Sequence, residues 1–231
     1  MKKIIPVNSK KELANFIDFP HDLHKNDPYY VPELFIAQRD ILTTHPFHKH
    51  SSLQPFLAYD GDKIVGRICA VLNNNHNKFN NTNDGFFGFF DCINDQETAD
   101  LLIKAATDWL KEKKVDKIIG PVNPSTNETC GLLVKGFDSS PLVMMTYNPA
   151  YYVDLLEKAG FKKQVDLLAW SWDKTSYNDK SVQLLDKLQE RLKRSDVIIR
   201  KVNLKLIHSL KVKLHTAPAA VNFKGVRGAV S

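Results

Sequence analysis

The sequence predicts a mixed α/β (α+β) fold, with a central, mostly antiparallel sheet of six or seven strands flanked by helices. Three observations predict it. Two apolar runs, Ile64 to Leu72 and Phe86 to Phe90, are too continuous for half-exposed elements and too short for helices. Asp60-Gly61-Asp62 precedes the first run and follows Leu57 to Tyr59, which is a hairpin signal. Two segments, about 95–114 and 149–159, carry apolar residues at helical spacing.

In chain order, Lys3 to Val7 reads as a first strand, and Asn8-Ser9 as caps for a helix from Lys10 to Ile17 that Phe19-Pro20 bends or ends. Leu23, Tyr29, Tyr30 and Val31 anchor a segment punctuated by Pro28 and Pro32, and a second helix fits Glu33 to Leu42. Ile64 to Leu72 reads as a central strand buried on both faces. Seven of the twelve residues from Asn73 to Asp84 are Asn, a composition that predicts a loop. Gly85 and Gly88 place a bulge or a close backbone approach in the Phe86–Phe90 strand. Asn94 and Glu97 have capping-box spacing for the helix to about Lys114. Lys117 to Val122 is the next strand, Asn148-Pro149 opens the next helix, and Gly160-Phe161 stops it. A last strand is expected from about Val165 to Trp172, with Trp170 and Trp172 on one face for core or dimer packing. A helix about Val182 to Lys193 and a strand from Val197 to Val202 follow.

Composition excludes several classes. With 231 residues, 43% hydrophobic and 25% charged, the chain is ordinary globular material. No apolar stretch spans a bilayer and no signal peptide is evident, so neither membrane nor export is expected. Cys69, Cys92 and Cys130 are odd in number and far apart, which argues for reduced thiols and a cytoplasmic location. With no Cys-x-x-Cys pair, no metal is expected, although His45, His48 and His50 share one loop. The net charge is +6, but seven basic residues and no acid lie in the last 35 positions. That leaves 25 basic against 26 acidic residues elsewhere, so no specific nucleic-acid partner is expected. The domain reading is 1–172 as the main domain and 173–195 as a polar helical linker. Residues 196–231 form an incomplete second domain or a disordered basic tail, as though the chain were a shortened form of a two-domain protein.

Several phrases carry a resemblance: Phe19-Pro20, Asp27-Pro28, Val31-Pro32, Gly85-Phe86-Phe87-Gly88-Phe89-Phe90, Gly120-Pro121-Val122-Asn123-Pro124-Ser125-Thr126-Asn127, Cys130-Gly131-Leu132-Leu133, Gly136-Phe137-Asp138 and Tyr147-Asn148-Pro149. With the helix ending Leu155 to Phe161, residues 1 to 172 resemble the GNAT superfamily of acyl-CoA-dependent N-acyltransferases, and within it a bacterial group of uncharacterised GNAT-like proteins. The resemblance implies an acyl-CoA N-acyltransferase-like fold with a splayed sheet. It implies acetyl-CoA or another acyl-CoA as co-substrate and a small-molecule or peptide amine as acceptor. It also implies a diphosphate-holding segment after the fourth strand, normally basic and Gly-rich. Here that segment, Asp91 to Glu97, has no Gly, Lys or Arg and three carboxylates, which repel a diphosphate.

The candidate site is the polar run Asn123 to Gly131, beyond the fifth strand where the splayed sheet forms its cleft. Asn123, Ser125 and Asn127, with Phe90 and Cys92 at the end of the fourth strand, are the candidate donor-binding set. Glu128, or a water, is the candidate base, and Tyr147, Tyr151 or Tyr152 the candidate acid. The neighbours of Cys130 offer no cation, so it reads as a structural thiol. Two readings stay open: an N-acyltransferase working by direct attack of a primary amine, and a non-catalytic GNAT-like module binding a metabolite or protein partner. The oligomeric state is not legible.

Overall fold

The computed structural model describes residues 1–124, 127–170 and 179–194. It divides into two units at Lys162/Lys163. Unit one holds β1 (Lys2–Pro6), α1 (Lys10–His24), α2 (Phe35–Thr43), β2 (Ser52–Asp60), β3 (Lys63–Leu72), α3 (Asn74–Asn80), β4 (Asp84–Cys92), α4 (Gln96–Glu112), β5 (Lys117–Ile119) and α5 (Tyr151–Lys158).

The sheet runs β1-β2-β3-β4-β5. The first four strands pair antiparallel, and β5 joins β4 in parallel over three residues. Five described strands replace the six or seven expected. The mixed α/β class and the mostly antiparallel, helix-flanked sheet are those expected. The β2–β3 hairpin turns through Gly61, whose φ of 58° suits glycine.

Alternation along the strands splits the core in two. Phe56, Ala58, Ile68, Ala70 and Phe87 pack against Leu102, Ala106 and Leu110 of α4 and Leu155 and Leu156 of α5. Leu57, Cys69, Val71 and Phe86 pack on the opposite face against Phe16 and Ile17 of α1 and Leu42 of α2. β4 changes phase partway. Arg67 pairs with Asp91 but Cys69 pairs with Gly88, so β4 carries one extra residue. Phe89 absorbs it with a left-handed φ of 48°. As a result Phe89 joins the α1 side and Phe90 and Cys92 the α4 side. Asp91, on the same parity as Phe89, is thereby aimed at α1.

Four local expectations are corrected. Pro20 does not end the first helix, which runs on to His24. Proline deprives the Phe16 carbonyl of its helical donor, and Arg67 Nη1 supplies one at 2.8 Å. The Asn-rich segment contains α3, capped by the Asn73 side chain at one end and by left-handed Asn81 (φ 53°) at the other. The α4 cap is Asp95, one residue later than Asn94. Asn148 does not cap α5. It is buried and bonds the Leu133 N–H at 2.7 Å and the Leu133 carbonyl at 3.2 Å.

Unit two is described by residues 163–170 and 179–194. The strand expected from Val165 is absent over 163–170, where the chain has no regular structure and Leu167, Leu168 and Trp170 are exposed. Its strand-like composition has no ladder partner among the described residues, and composition alone does not make a strand. Trp172 and the segment 196–231 lie outside the described residues. α6 (Asp179–Lys193) covers the helix expected at about Val182 to Lys193, with Leu184, Leu185 and Leu188 exposed. Among the described residues no helix is long and apolar enough to cross a membrane.

Candidate functional site

The polar groups of unit one converge at the carboxyl end of β4. Arg67 sits mid-strand in β3, 5% exposed, on the α1 face. A buried guanidinium must be paired on all sides. Its Nε donates to Asp91 Oδ2 at 2.7 Å, and its Nη1 donates to Gln38 Oε1 at 3.1 Å as well as to Phe16 O. Gln38 is held there by α2 and is itself buried. Burial pushes the Asp91 carboxyl up, but the Arg67 charge and the His24 contact outweigh it and hold the group well below the usual carboxylate range.

The other Asp91 oxygen, Oδ1, lies 3.3 Å from His24 Nε2 and accepts from the Tyr152 hydroxyl at 3.3 Å. An ionised carboxylate only accepts, so Nε2 must carry the proton. The lone pair of neutral His24 is then on Nδ1. His24 is itself 5% exposed, and the buried side-chain N and O atoms left unpartnered among the described residues are His21 Nε2 and Gln96 Oε1. His24 is also the last residue of α1.

Aromatic rings wall this pair. The Tyr30 ring lies 4.9 Å and the Tyr147 ring 6.2 Å from the His24 ring, and the two tyrosines are 5.9 Å apart. Tyr147 donates its hydroxyl to Asp27. Burial, with the Asp27 carboxylate beside it, raises the Tyr147 phenol. Phe35 stacks on His21, which contacts the Tyr30 hydroxyl at 3.3 Å.

The residues expected from sequence are only partly brought together. Tyr147 stands in this cluster. Tyr152 does not face a cleft: it is 1% exposed in the core, where its hydroxyl accepts from Cys92 N–H at 2.9 Å. Burial raises its phenol well above the ordinary value. Cys92 and Phe90 are likewise core residues, and burial pushes the Cys92 thiol up to about 12. Burial also raises the Cys130 thiol, the opposite of activation. The Asn123–Gly131 run is a loop closed by a bridge between Val122 and Cys130 and by Asn123 N–H to Thr129 O. Glu128 is half-buried on it, Asn127 is exposed, and Ser125 lies outside the described residues. Asn123 turns inward and accepts from Phe89 N–H at 2.9 Å. His45, His48 and His50 bond separately, to Phe47, Ile41 and Ser51, and among the described residues no three metal-ligating side chains converge.

His24, Asp91, Arg67 and Tyr30 were not singled out from sequence. One signal was available: Arg67 is the lone charge in an apolar strand read as buried on both faces, and such a charge requires a buried acid.

The acidic segment is also reinterpreted. Asp91 belongs to Arg67 and His24, while Lys2 of β1 bonds Asp95 at 2.6 Å and Glu97 at 2.7 Å. Asp95 caps its own helix, accepting from the Thr98 N–H at 2.7 Å and the Thr98 hydroxyl at 2.6 Å. The hydrogen bonds from Lys2 and Thr98 hold the Asp95 carboxyl down at about 2. The helix end that a CoA diphosphate needs is occupied by the chain's own carboxylate, so the residues there do not fit that group.

No family model matches the chain. It is 36% identical over 207 residues to "Bacterial ceramide synthase" of Caulobacter vibrioides, covering 87% of this chain and 52% of that protein. It is 35% identical over 187 residues to "Protein YghO" of Escherichia coli, covering 80% and 48%. The chain therefore spans about half the length of the curated relatives it matches. Among solved structures it is similar to an aminoglycoside acetyltransferase from an uncultured soil sample (TM-score 0.45, 13% identity, 74% of this chain and 97% of that one). It is also similar to a "predicted acetyltransferase" from Clostridium acetobutylicum solved with acetyl-CoA (TM-score 0.46, 10% identity, 74% and 96%).

Proposed function

We propose that this protein takes part in amide-forming acyl transfer to the amino group of a long-chain amine, with His24 as the proton acceptor. The observation that carries the reading is the His24–Asp91 pair. A carboxylate kept ionised by Arg67 sets the Nε2–H tautomer and places the lone pair of the neutral ring on Nδ1. A base of this kind makes an ammonium nucleophilic by removing its proton, and Asp91 then stabilises the imidazolium. The Tyr30 and Tyr147 rings suit an ammonium before it is deprotonated.

The substrate class rests on the similarity to a ceramide synthase. A ceramide is an N-acylated long-chain amino alcohol, so its synthesis forms the same amide bond as N-acetyl transfer. Tyr29, Val31, Leu34, Phe35 and Ile36 are exposed along the segment that carries Tyr30, and an alkyl chain leaving the cluster meets apolar surface there. An acyl thioester, acyl-CoA included, is the donor that the sequence resemblance implies.

The test is N-acyl product formation from sphinganine and a long-chain acyl-CoA, followed by mass spectrometry. His24→Ala should lower the rate by about 10²-fold or more at neutral pH. Glu128→Gln, which removes the carboxylate of the 123–131 loop, should leave it within a few-fold. Equal rates for wild type and His24→Ala, or a collapse with Glu128→Gln alone, would move the base to the loop.

A further inference from the structure

The sequence resemblance implies two places for an acyl-CoA donor: the cleft between the fourth and fifth strands and the start of the helix after the fourth. In this chain both are filled by its own groups. β4 and β5 form ladder pairs only from Asp84 to Phe86 and from Lys117 to Ile119, which is where a cleft could open. Beyond that point the two segments remain stitched. Val122 N–H donates to Phe87 O at 2.7 Å, and Phe89 N–H, freed by the bulge, donates to Asn123 Oδ1. The approach is so close that a Cβ on Gly88 would stand 2.4 Å from the Val122 carbonyl oxygen and 2.6 Å from Asn123 Oδ1. A ligand arm needs at least a van der Waals diameter and a free amide, and the seam offers neither at this point.

The start of α4 is closed by a second, independent device. Asp95 occupies the Thr98 N–H, and Lys2, with a side chain 15% exposed, spans both Asp95 and Glu97. A diphosphate arriving here meets two carboxylates and a lysine already committed to them.

We infer, resting on the reading of the His24 cluster as the proton-handling site, that residues 1–162 serve the acceptor only, and that the nucleotide of a CoA-type donor is gripped outside this unit. The chain's span of about half its relatives' length leaves room in proteins of this kind for such a division of labour.

Hydrogen exchange by mass spectrometry on the full chain tests this, with and without CoA at about 1 mM, a concentration that half-fills a millimolar site. 3′,5′-ADP serves as a second probe for the nucleotide end alone. Amides 85–98 and 117–124 should exchange at the same rate with and without either probe. No protection anywhere, or protection only beyond residue 162, supports the inference. Protection of 88–98 by CoA or by 3′,5′-ADP would overturn it and leave acyl transfer at His24 standing. Conversely, loss of the acyl-transfer reading through an active His24→Ala protein changes nothing in the exchange pattern. Asn123→Ala adds a gain-of-function arm: it removes one of the two hydrogen bonds across the seam and frees the Phe89 amide, and any protection of 87–90 by CoA should appear only in that variant. Equal protection in wild type would count against the inference.

Discussion

Arg67 holds three elements at once, through Asp91 on β4, the Phe16 carbonyl on α1 and Gln38 on α2. Arg67→Ala strips the charge partner from a buried carboxylate and the donor from a carbonyl that Pro20 cannot serve. It should cost about 3–5 kcal/mol, read as a lower denaturant midpoint. Lysine should not rescue it, because one ammonium cannot reach the same three acceptors in a fork. The same pair predicts an acid limb. The folded Asp91 pKa is held below the unfolded value of about 3.9, so its contribution is fully present above that pH and is lost as pH falls through the folded value. Stability should be level from about pH 5 to 7 and fall below about pH 4, and Asp91→Asn should make that fall shallower. Tyr152 behaves differently from its sequence-based role. Tyr152→Phe leaves the buried Cys92 N–H unpaired and should cost about 1–3 kcal/mol with little direct effect on proton transfer. Residue identity revealed these partners poorly. His24, Asp91 and Tyr147 are 67 and 56 positions apart in order along the chain, and only the strand pairing and the bulge bring them together.

At the scale of elements, periodicity was informative wherever a long face had to be buried. α4 and α5 lie close to the spans expected, and the glycine stop at Gly160 has φ 92° with Phe161 packed on Phe87. Legibility failed where a side chain overrode composition. Asn73 and Asn81 turn a loop-like run into a helix, and Arg67 lets α1 pass through Pro20. It failed again at 165–170, where a strand pattern has no edge to pair with among the described residues. The bulge was legible as a glycine signal, Gly85 and Gly88, but its consequence for the facing of Asp91 was not. Gly88→Ala tests the seam directly. The new methyl meets backbone oxygen rather than a flexible side-chain tip, so it should destabilise by about 1–3 kcal/mol. It should also speed exchange of the Phe89 amide, since pushing Asn123 away frees that donor. An unchanged midpoint and unchanged exchange would mean that β4 and β5 part more easily than the packing implies.

At the scale of the whole molecule, the division at Lys162/Lys163 predicts that residues 1–162 unfold as one body. Up to Phe161 the backbone is tied in: Phe161 N–H donates to Leu156 O, and its ring lies 5.0 Å from Phe87. From Lys162 to Trp170 there is no regular structure, and Lys162 and Lys163 are exposed. A protease needs several extended, unbonded residues, which the interior of unit one does not supply in its strands and helices. The expected boundary from sequence lay ten residues later, at 172, because Val165 to Trp172 was read as a core strand. Among the described residues, trypsin acting briefly on the full chain should therefore cut at Lys162 or Lys163 before it cuts within the strands and helices of unit one. The amino-terminal product should keep a single cooperative unfolding transition, since both core clusters lie wholly within residues 1–162. A first cut inside a strand or helix of unit one, or a product ending at 162 that unfolds without cooperativity, would show that unit one depends on residues beyond it.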